Sequence, residues 1–68
     1  MLTITKQPDK TILKRGKKVY AEITYNENPD YKFVLWFKGG MALSGFETEQ
    51  AAIDRANEMN QAWEDAIN

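Results

Sequence analysis

Lysines, carboxylates and tyrosines are the side chains with which this chain could do chemistry, because its 68 residues include neither histidine nor cysteine. Histidine is the commonest general base and metal ligand, and cysteine is needed for disulfides and thiolate sites. The nearest approach to a metal or acid–base cluster is Glu58 with Asp54 or Asp65, but carboxylates on an exposed helix usually face solvent. The sequence therefore predicts no catalytic residue, no metal and no cofactor, and it predicts that the protein is not an enzyme.

Positive charge is concentrated in residues 10–18, which carry five basic side chains and no acidic one. Residues 1–38 hold eight basic and four acidic residues, whereas residues 39–68 hold one basic and six acidic residues. A split of this kind can orient a molecule toward a charged partner although the net charge is only −1. The alternative is a solvated turn, since lysines also protect strand edges from aggregation.

A tryptophan among lysines marks the segment YKFVLWFKGG, residues 31–40. Read as a strand, its alternate residues point to opposite faces. The core side would carry Tyr31, Phe33, Leu35 and Phe37, and the other side Lys32, Val34, Trp36 and Lys38.

Hairpins and one helix are the elements that would position these side chains. Residues 11–26 read as a hairpin with a tight turn at Arg15-Gly16, and Gly39-Gly40 suits a two-residue turn into a short arm. Residues 48–67 read as a helix with Thr48 as its N-cap. Its predicted apolar stripe is Ala52, Ile53, Ala56, Met59, Trp63, Ala66 and Ile67.

The predicted fold class is α+β, with a three- or four-stranded antiparallel sheet packed on one face by a single C-terminal helix. The stripe is expected to pack on the strand face carrying Val19, Ala21, Ile23, Phe33, Leu35 and Phe37. The chain reads as one small domain, 1–68, of the β-β-β-α type, in which residues 1–10 form either a flexible N-terminus or an edge strand. No run approaches the ~20 apolar residues of a membrane span, and no signal peptide is recognisable, so a cytoplasmic protein without a membrane partner is expected.

The sheet face away from the helix is predicted to carry an apolar patch fringed by lysines. A two-residue Gly39-Gly40 turn would place Trp36 opposite Leu43 and Lys38 opposite Met41. Three uses remain open: Leu2 and Ile4 fold back over the patch, the patch forms a homodimer seam, or it recognises another molecule, because monomers rarely leave such patches unused. The predicted patch is Tyr20, Val34, Trp36, Met41 and Leu43.

Residues 11–60 resemble the N-terminal arm-type DNA-binding domain of tyrosine recombinases, the phage and transposon integrases, and the similar plant APETALA2-type domain. The likeness is carried by a basic first hairpin, by Ala21 and Ile23 in the second strand, and by the motif G-F-x-T-x-x-x-A at the entry to the helix. In this sequence those elements are Lys14-Arg15-Gly16-Lys17, Ala21, Ile23, Gly45, Phe46, Thr48 and Ala52. The sequence departs from those families in having a single arginine, Arg15, in its sheet half, where they crowd arginines that read guanine.

The resemblance implies a small non-enzymatic module, encoded by a phage or mobile element, that binds double-stranded DNA through the exposed Lys/aromatic face of its sheet. The residues that it assigns to nucleic-acid binding are Lys14, Arg15, Lys17, Lys18, Tyr20, Lys32, Trp36 and Lys38. The alternative is a protein–protein interaction module, a host-factor inhibitor or a homodimer, that uses the apolar patch or the acidic helix.

Overall fold

A computed structural model describes residues 1–67, in which five antiparallel strands form one sheet in chain order and a single helix packs on it. This confirms the α+β class. The sheet gains its fifth strand because residues 3–6 pair with residues 11–14 as an edge strand. The elements are β1 (Thr3–Lys6), β2 (Thr11–Arg15), β3 (Lys18–Tyr25), β4 (Phe33–Phe37), β5 (Ala42–Phe46) and α1 (Glu49–Ile67).

The core lies between the sheet and the first half of α1. Small residues on the helix, such as Ala52 and Ala56, let its backbone approach the strands closely, and both are fully buried. Leu2 also joins this core, and its backbone N–H donates to Asn57 Oδ1 at 3.0 Å. Leu2 therefore does not fold over the opposite face. The buried cluster is Leu2, Leu13, Ala21, Ile23, Leu35, Ala52, Ile53 and Ala56.

The helix begins at the predicted cap and extends past the sheet. The Ala51 N–H donates to Thr48 Oγ1 at 3.1 Å, which confirms Thr48 as the N-cap. A helix of 19 residues is about 28 Å long, whereas a five-residue strand spans about 17 Å. The stripe is therefore buried only in its first half, and Trp63 and Ile67 are 47% and 61% exposed. No helix within residues 1–67 is long and apolar enough to cross a membrane.

A β-bulge in β3 reverses two of the predicted face assignments. Leu13 pairs with Ala21, but the next residue, Lys14, pairs with Val19, so Tyr20 is the extra residue of β3. Tyr20 consequently packs against the core on the helix side, and Val19 shares the other face with Lys14. The alternating pattern had predicted the reverse for both residues, and it was wrong because a bulge breaks the period of two.

The β4–β5 turn also differs from the prediction. Trp36 pairs with Ala42 and Leu35 with Leu43, and the Phe37 N–H donates to the Met41 carbonyl at 2.8 Å. The turn enclosed by the Phe37–Met41 bond is thus three residues long, 38–40, rather than two. It closes through a Gly40 N–H bond to the Phe37 carbonyl, with Gly39 and Gly40 at φ values of 111° and 106° that glycine adopts readily.

The longer turn shifts β5 by one residue, and a one-residue shift exchanges the two faces of a strand. Leu43 packs against the core, and Met41 lies opposite Phe37 rather than Lys38. The predicted patch of five residues is therefore wrong for Tyr20, Met41 and Leu43. Only Val34 and Trp36 of that set lie on the face away from α1, which we call the open face.

Candidate functional site

Two neighbouring turns bring most of the predicted basic residues to one end of the sheet. The β2–β3 turn contains Gly16 and Lys17, and the β4–β5 turn begins at Lys38. The two turns are joined because the Lys38 N–H donates to the Tyr20 carbonyl at 3.1 Å. We call this region the basic end and define it by its cations: Lys14, Arg15, Lys17, Lys18 and Lys38.

The lysines at the opposite end of the sheet are neutralised by carboxylates. Their ammonium nitrogens lie 3.1, 3.3 and 2.6 Å from carboxylate oxygens in three ion pairs, which define what we call the paired end. The hydrogen bond from Lys32 to Glu47, together with the charge of Glu47, raises the pKa of Lys32 above its ordinary value. The pairs are Lys6–Glu49, Lys10–Glu22 and Lys32–Glu47.

The four lysines of the basic end differ from these. Among residues 1–67, no carboxylate oxygen lies within ion-pairing distance of Lys14, Lys17, Lys18 or Lys38. Lys17, Lys18 and Lys38 are exposed, and Lys14 is half-buried where β2 meets the turn. Their positive charge is consequently available to an external anion.

Arg15 is held by neutral groups rather than by a carboxylate. Its Nε donates to Asn60 Oδ1 at 2.6 Å, and its guanidinium carbon lies 4.0 Å from the centroid of the Trp63 ring and 4.6 Å from that of Tyr20. The Tyr20 ring in turn meets Phe37 edge-on, with centroids 5.7 Å apart. Cation–π contacts of this kind fix the guanidinium without cancelling its charge. Arg15 and Tyr20 therefore lie on the helix side of the sheet, and the predicted place of Tyr20 on the open face was wrong.

A cavity of 290 Å³ opens beside this arginine between the two turns. Three cations and no carboxylate line it, together with aromatic and aliphatic walls. The arrangement is suited to an anion that carries an apolar portion. The lining residues are Arg15, Lys18, Val19, Tyr20, Phe37 and Lys38.

The open face presents Trp36, which is 48% exposed. Its Nε1–H donates to Thr24 Oγ1 at 2.8 Å, so the indole leans across the sheet toward the Thr24–Val34 pair. Val34 is only 6% exposed although no helix covers this face. The prediction that Trp36 lies outside the helix-packed core is confirmed. A second cavity, of 410 Å³, runs from Trp36 to Lys38.

The remaining predicted residue, Lys32, lies apart from the others. It precedes β4 at the paired end and contacts Glu47, so it joins neither the basic end nor the Trp36 surface. The eight predicted nucleic-acid contacts thus divide into an open-face group (Lys14, Trp36), a turn group (Lys17, Lys18, Lys38), a helix-side pair (Arg15, Tyr20) and the isolated Lys32. No observation tests their binding role, which stays a prediction.

Sequence reasoning missed Asn60, the residue that orients Arg15. Asn60 is 1% exposed, and its amide also approaches Glu64 at 3.4 Å. Its position was a signal, since it lies four residues after Ala56 and three before Trp63, in the middle of the apolar stripe. A polar residue buried on such a stripe requires a partner, and here Arg15 supplies it.

Among the described residues, 1–67, no group of three acidic side chains is placed to hold a metal ion. Comparison with protein-family models, curated proteins and solved structures found no match to the chain. The candidate site therefore has to be interpreted from its own geometry and charge.

Proposed function

We propose that this protein is a non-enzymatic module that binds double-stranded DNA through its basic end, with Trp36 on the adjoining open face contributing an apolar contact. The resemblance of residues 11–60 to arm-type DNA-binding domains favours the same function. Lysines at turn tips suit contacts to phosphate, which position a protein on the duplex without reading its sequence. The presence of only one arginine in the sheet half, Arg15, favours weak sequence preference.

The observation that carries the proposal is the difference in pairing between the two ends. Three lysines at the paired end contact carboxylates, whereas the lysines of the basic end contact none among residues 1–67. Most carboxylates of the second half of the chain lie on α1, behind the sheet. A duplex that binds across the tips of the two turns thus meets lysines that no carboxylate among residues 1–67 neutralises.

The test compares two triple variants that remove the same number of charges. Lys17→Gln/Lys18→Gln/Lys38→Gln neutralises the basic end, and Lys6→Gln/Lys10→Gln/Lys32→Gln neutralises the paired end. Labelled duplex DNA is titrated with each protein at several salt concentrations, after circular dichroism has shown that each variant is folded. Each phosphate contact contributes a slope of about −0.9 in a plot of log affinity against log salt.

We expect the basic-end variant to lose affinity and to show a slope shallower by about 2.7, since three phosphate contacts are removed. The paired-end variant is expected to retain the slope of the wild-type protein, because its lysines are already neutralised. Equal losses in the two variants would indicate a general charge effect. Absence of binding at micromolar protein and low salt would overturn the proposal.

A protein partner is the second candidate, and the half-exposed indole beside Val34 is the observation that favours it. Trp36→Ala separates the two functions. If DNA is the ligand, the variant binds duplex more weakly with an unchanged salt slope, because the lost contact is uncharged. If the surface serves a protein instead, the variant leaves DNA titrations unaltered and loses a protein captured from lysate by the wild type.

A further inference from the structure

Arg15 has a geometry that leaves one edge of its guanidinium for a ligand. The guanidinium carbon lies over two aromatic rings, 4.0 Å from the centroid of Trp63 and 4.6 Å from that of Tyr20. Its Nε donates to Asn60, and among residues 1–67 its two terminal nitrogens have no hydrogen-bond partner. The side chain is therefore fixed in orientation while the terminal donors remain free.

A fixed guanidinium with free terminal donors is suited to an oxyanion. The two terminal nitrogens match the spacing of two oxygens on one phosphate, and such paired bonds are stronger than neutral hydrogen bonds. Because stacking and the Asn60 bond already restrict its rotamers, Arg15 would lose little conformational entropy on binding. Asn60 is a neutral acceptor, so it orients the group without competing for its charge.

The cavity next to Arg15 completes the site. Lys18 and Lys38 line it with Arg15, and no carboxylate does. Lys18 begins β3 directly after the first turn, and Lys38 begins the second turn. The bond between the Lys38 N–H and the Tyr20 carbonyl holds the two turns together. One cavity of 290 Å³ is thus lined by three cationic residues.

The geometry points to this cavity as a binding site for a single phosphate group, with Arg15 as its specificity-determining residue and Lys18 and Lys38 as its charge. The inference deepens the proposed DNA-binding function and rests on it for the origin of the phosphate. That phosphate belongs either to the backbone of a duplex or to a free 5′ end. The Arg15 fork favours a phosphate over a monovalent halide, which a lysine cluster alone would attract equally well.

The first arm of the test uses inorganic phosphate without DNA. The protein labelled with nitrogen-15 is titrated with phosphate, and with chloride at matched ionic strength, while amide and arginine Nε signals are recorded. We expect saturable shifts of the Arg15 Nε signal and of the Lys18 and Lys38 amides with phosphate only. Arg15→Lys, which keeps the charge and loses the fork, should weaken phosphate binding about tenfold or more. Arg55→Lys on the outer face of α1 is the matched control and should bind as the wild type does.

Since Arg15→Lys also removes packing, Lys38→Gln supplies a second variant whose exposed side chain makes no bond to residues 1–67. It should weaken phosphate binding, and Lys6→Gln should not. Shifts distributed equally over the lysines of both ends would overturn the inference. So would phosphate binding by Arg15→Lys at wild-type strength.

The second arm identifies the origin of the phosphate. Duplexes with 5′-phosphate and 5′-hydroxyl ends are compared on wild type and Arg15→Lys. A terminal site predicts tighter binding of the phosphorylated duplex and loss of that difference in the variant. A backbone site predicts equal binding of the two duplexes and an equal loss for both. If phosphate shifts the Arg15 Nε signal but Arg15→Lys leaves the affinity for duplex DNA unchanged, the cavity binds phosphate but does not bind the phosphate of DNA. If phosphate leaves the Arg15 Nε signal unshifted while the basic-end lysines still determine the affinity for duplex DNA, the cavity is not a phosphate site. The proposed DNA binding by the basic end is then still supported.

Discussion

The two ends of the sheet join the same helix by different chemistry. At the paired end, Glu49 in the first turn of α1 accepts a hydrogen bond from Thr11 at 3.0 Å and contacts Lys6 at 3.1 Å. At the basic end, Asn60 accepts a hydrogen bond from Arg15, whose guanidinium lies over the rings of Trp63 and Tyr20. One end uses charge neutralisation, and the other uses a neutral amide and π-systems.

This difference determines which charges are left for a ligand. Carboxylates at the paired end reduce the field of its lysines, so that end offers little to a polyanion. At the basic end the contacts between sheet and helix involve no lysine, and the positive charge of the lysines is not neutralised. Among residues 1–67 the lysines of the basic end therefore make no ion pair that holds the fold, and their charge remains exposed.

The largest expected effect comes from the core that both ends share. Leu13 is fully buried in β2, between the two ends. Leu13→Ala should lower the free energy of unfolding by about 2–5 kcal/mol, through lost burial and the cavity left behind. Urea unfolding followed by far-ultraviolet circular dichroism and by tryptophan fluorescence measures it. The two signals should change together, because a domain of this size unfolds as one unit.

Ile4→Ala is the matched control for that measurement. Ile4 pairs directly with Leu13 across the strands but is 42% exposed. Its truncation should therefore cost less than about 1 kcal/mol. Separate transitions for the two signals in Leu13→Ala would show that the two ends are not parts of one cooperative structure.

The next effect concerns the anchor of the basic end. Asn60→Ala removes the acceptor of the Arg15 Nε–H at a residue that is itself 1% exposed. A hydrogen bond to a charged group contributes about 1.5–3 kcal/mol, and a loss of stability in that range is expected. The Trp63 emission spectrum should also shift, because Arg15 is no longer oriented against the indole. A stability equal to that of the wild type would show that stacking alone holds Arg15.

The corresponding change at the paired end is Thr11→Val, which is nearly isosteric and removes the bond to Glu49. Thr11 is 3% exposed, but Glu49 keeps Lys6 as a partner and remains partly in solvent. We expect a cost of about 0.5–1.5 kcal/mol, the usual net value of one hydrogen bond. Urea midpoints of Thr11→Val and Asn60→Ala, measured side by side, check the order. A larger loss of stability for Thr11→Val than for Asn60→Ala would show that the hydrogen bond at the paired end contributes more than the one at the basic end.

The fold could be predicted from the sequence where the pattern was regular. The apolar spacing of α1, its Thr48 cap and the alternation in β4 predicted the helix and the layer that it covers, and these are confirmed. The second half of α1 was misjudged because periodicity reports the side of a helix that is apolar and does not report how far the sheet reaches beneath it. Trp63 thus looked like a core residue and instead covers Arg15.

The site was harder to predict because it depends on register. One bulge moved Tyr20 to the helix side, and one additional turn residue after Phe37 moved Leu43 into the core. Neither event leaves a local signal, since Val-Tyr-Ala and Gly-Gly are compatible with both registers. The cluster of lysines was visible in the sequence, but their lack of carboxylate partners was not, because ion pairing depends on which strands and turns come together.

The smallest effect is expected from the Lys32–Glu47 pair at the paired end. Both side chains are exposed to solvent, so water and salt screen their attraction, and surface pairs of this kind contribute little. The Lys32 backbone also has a φ of 34°, in the left-handed region that favours glycine. Lys32→Met and Lys32→Gly both remove the ion pair, but only the second relieves the backbone. We expect Lys32→Met to leave the urea midpoint nearly unchanged and Lys32→Gly to be the more stable of the two.

The pH dependence separates the ion pair from the backbone effect. Because Glu47 raises the pKa of Lys32, the contribution of the pair is complete below the ordinary lysine pKa of 10.5 and is lost as the pH rises through the raised value. The range from roughly pH 6 to 9 lies below the raised pKa of Lys32, so the ammonium stays charged and the stability difference between wild type and Lys32→Met should stay constant there. Urea midpoints across that range measure it. A difference that grows or shrinks within this window would mean that another titrating group acts on the pair, and Lys32 could no longer be treated as neutralised by Glu47 alone.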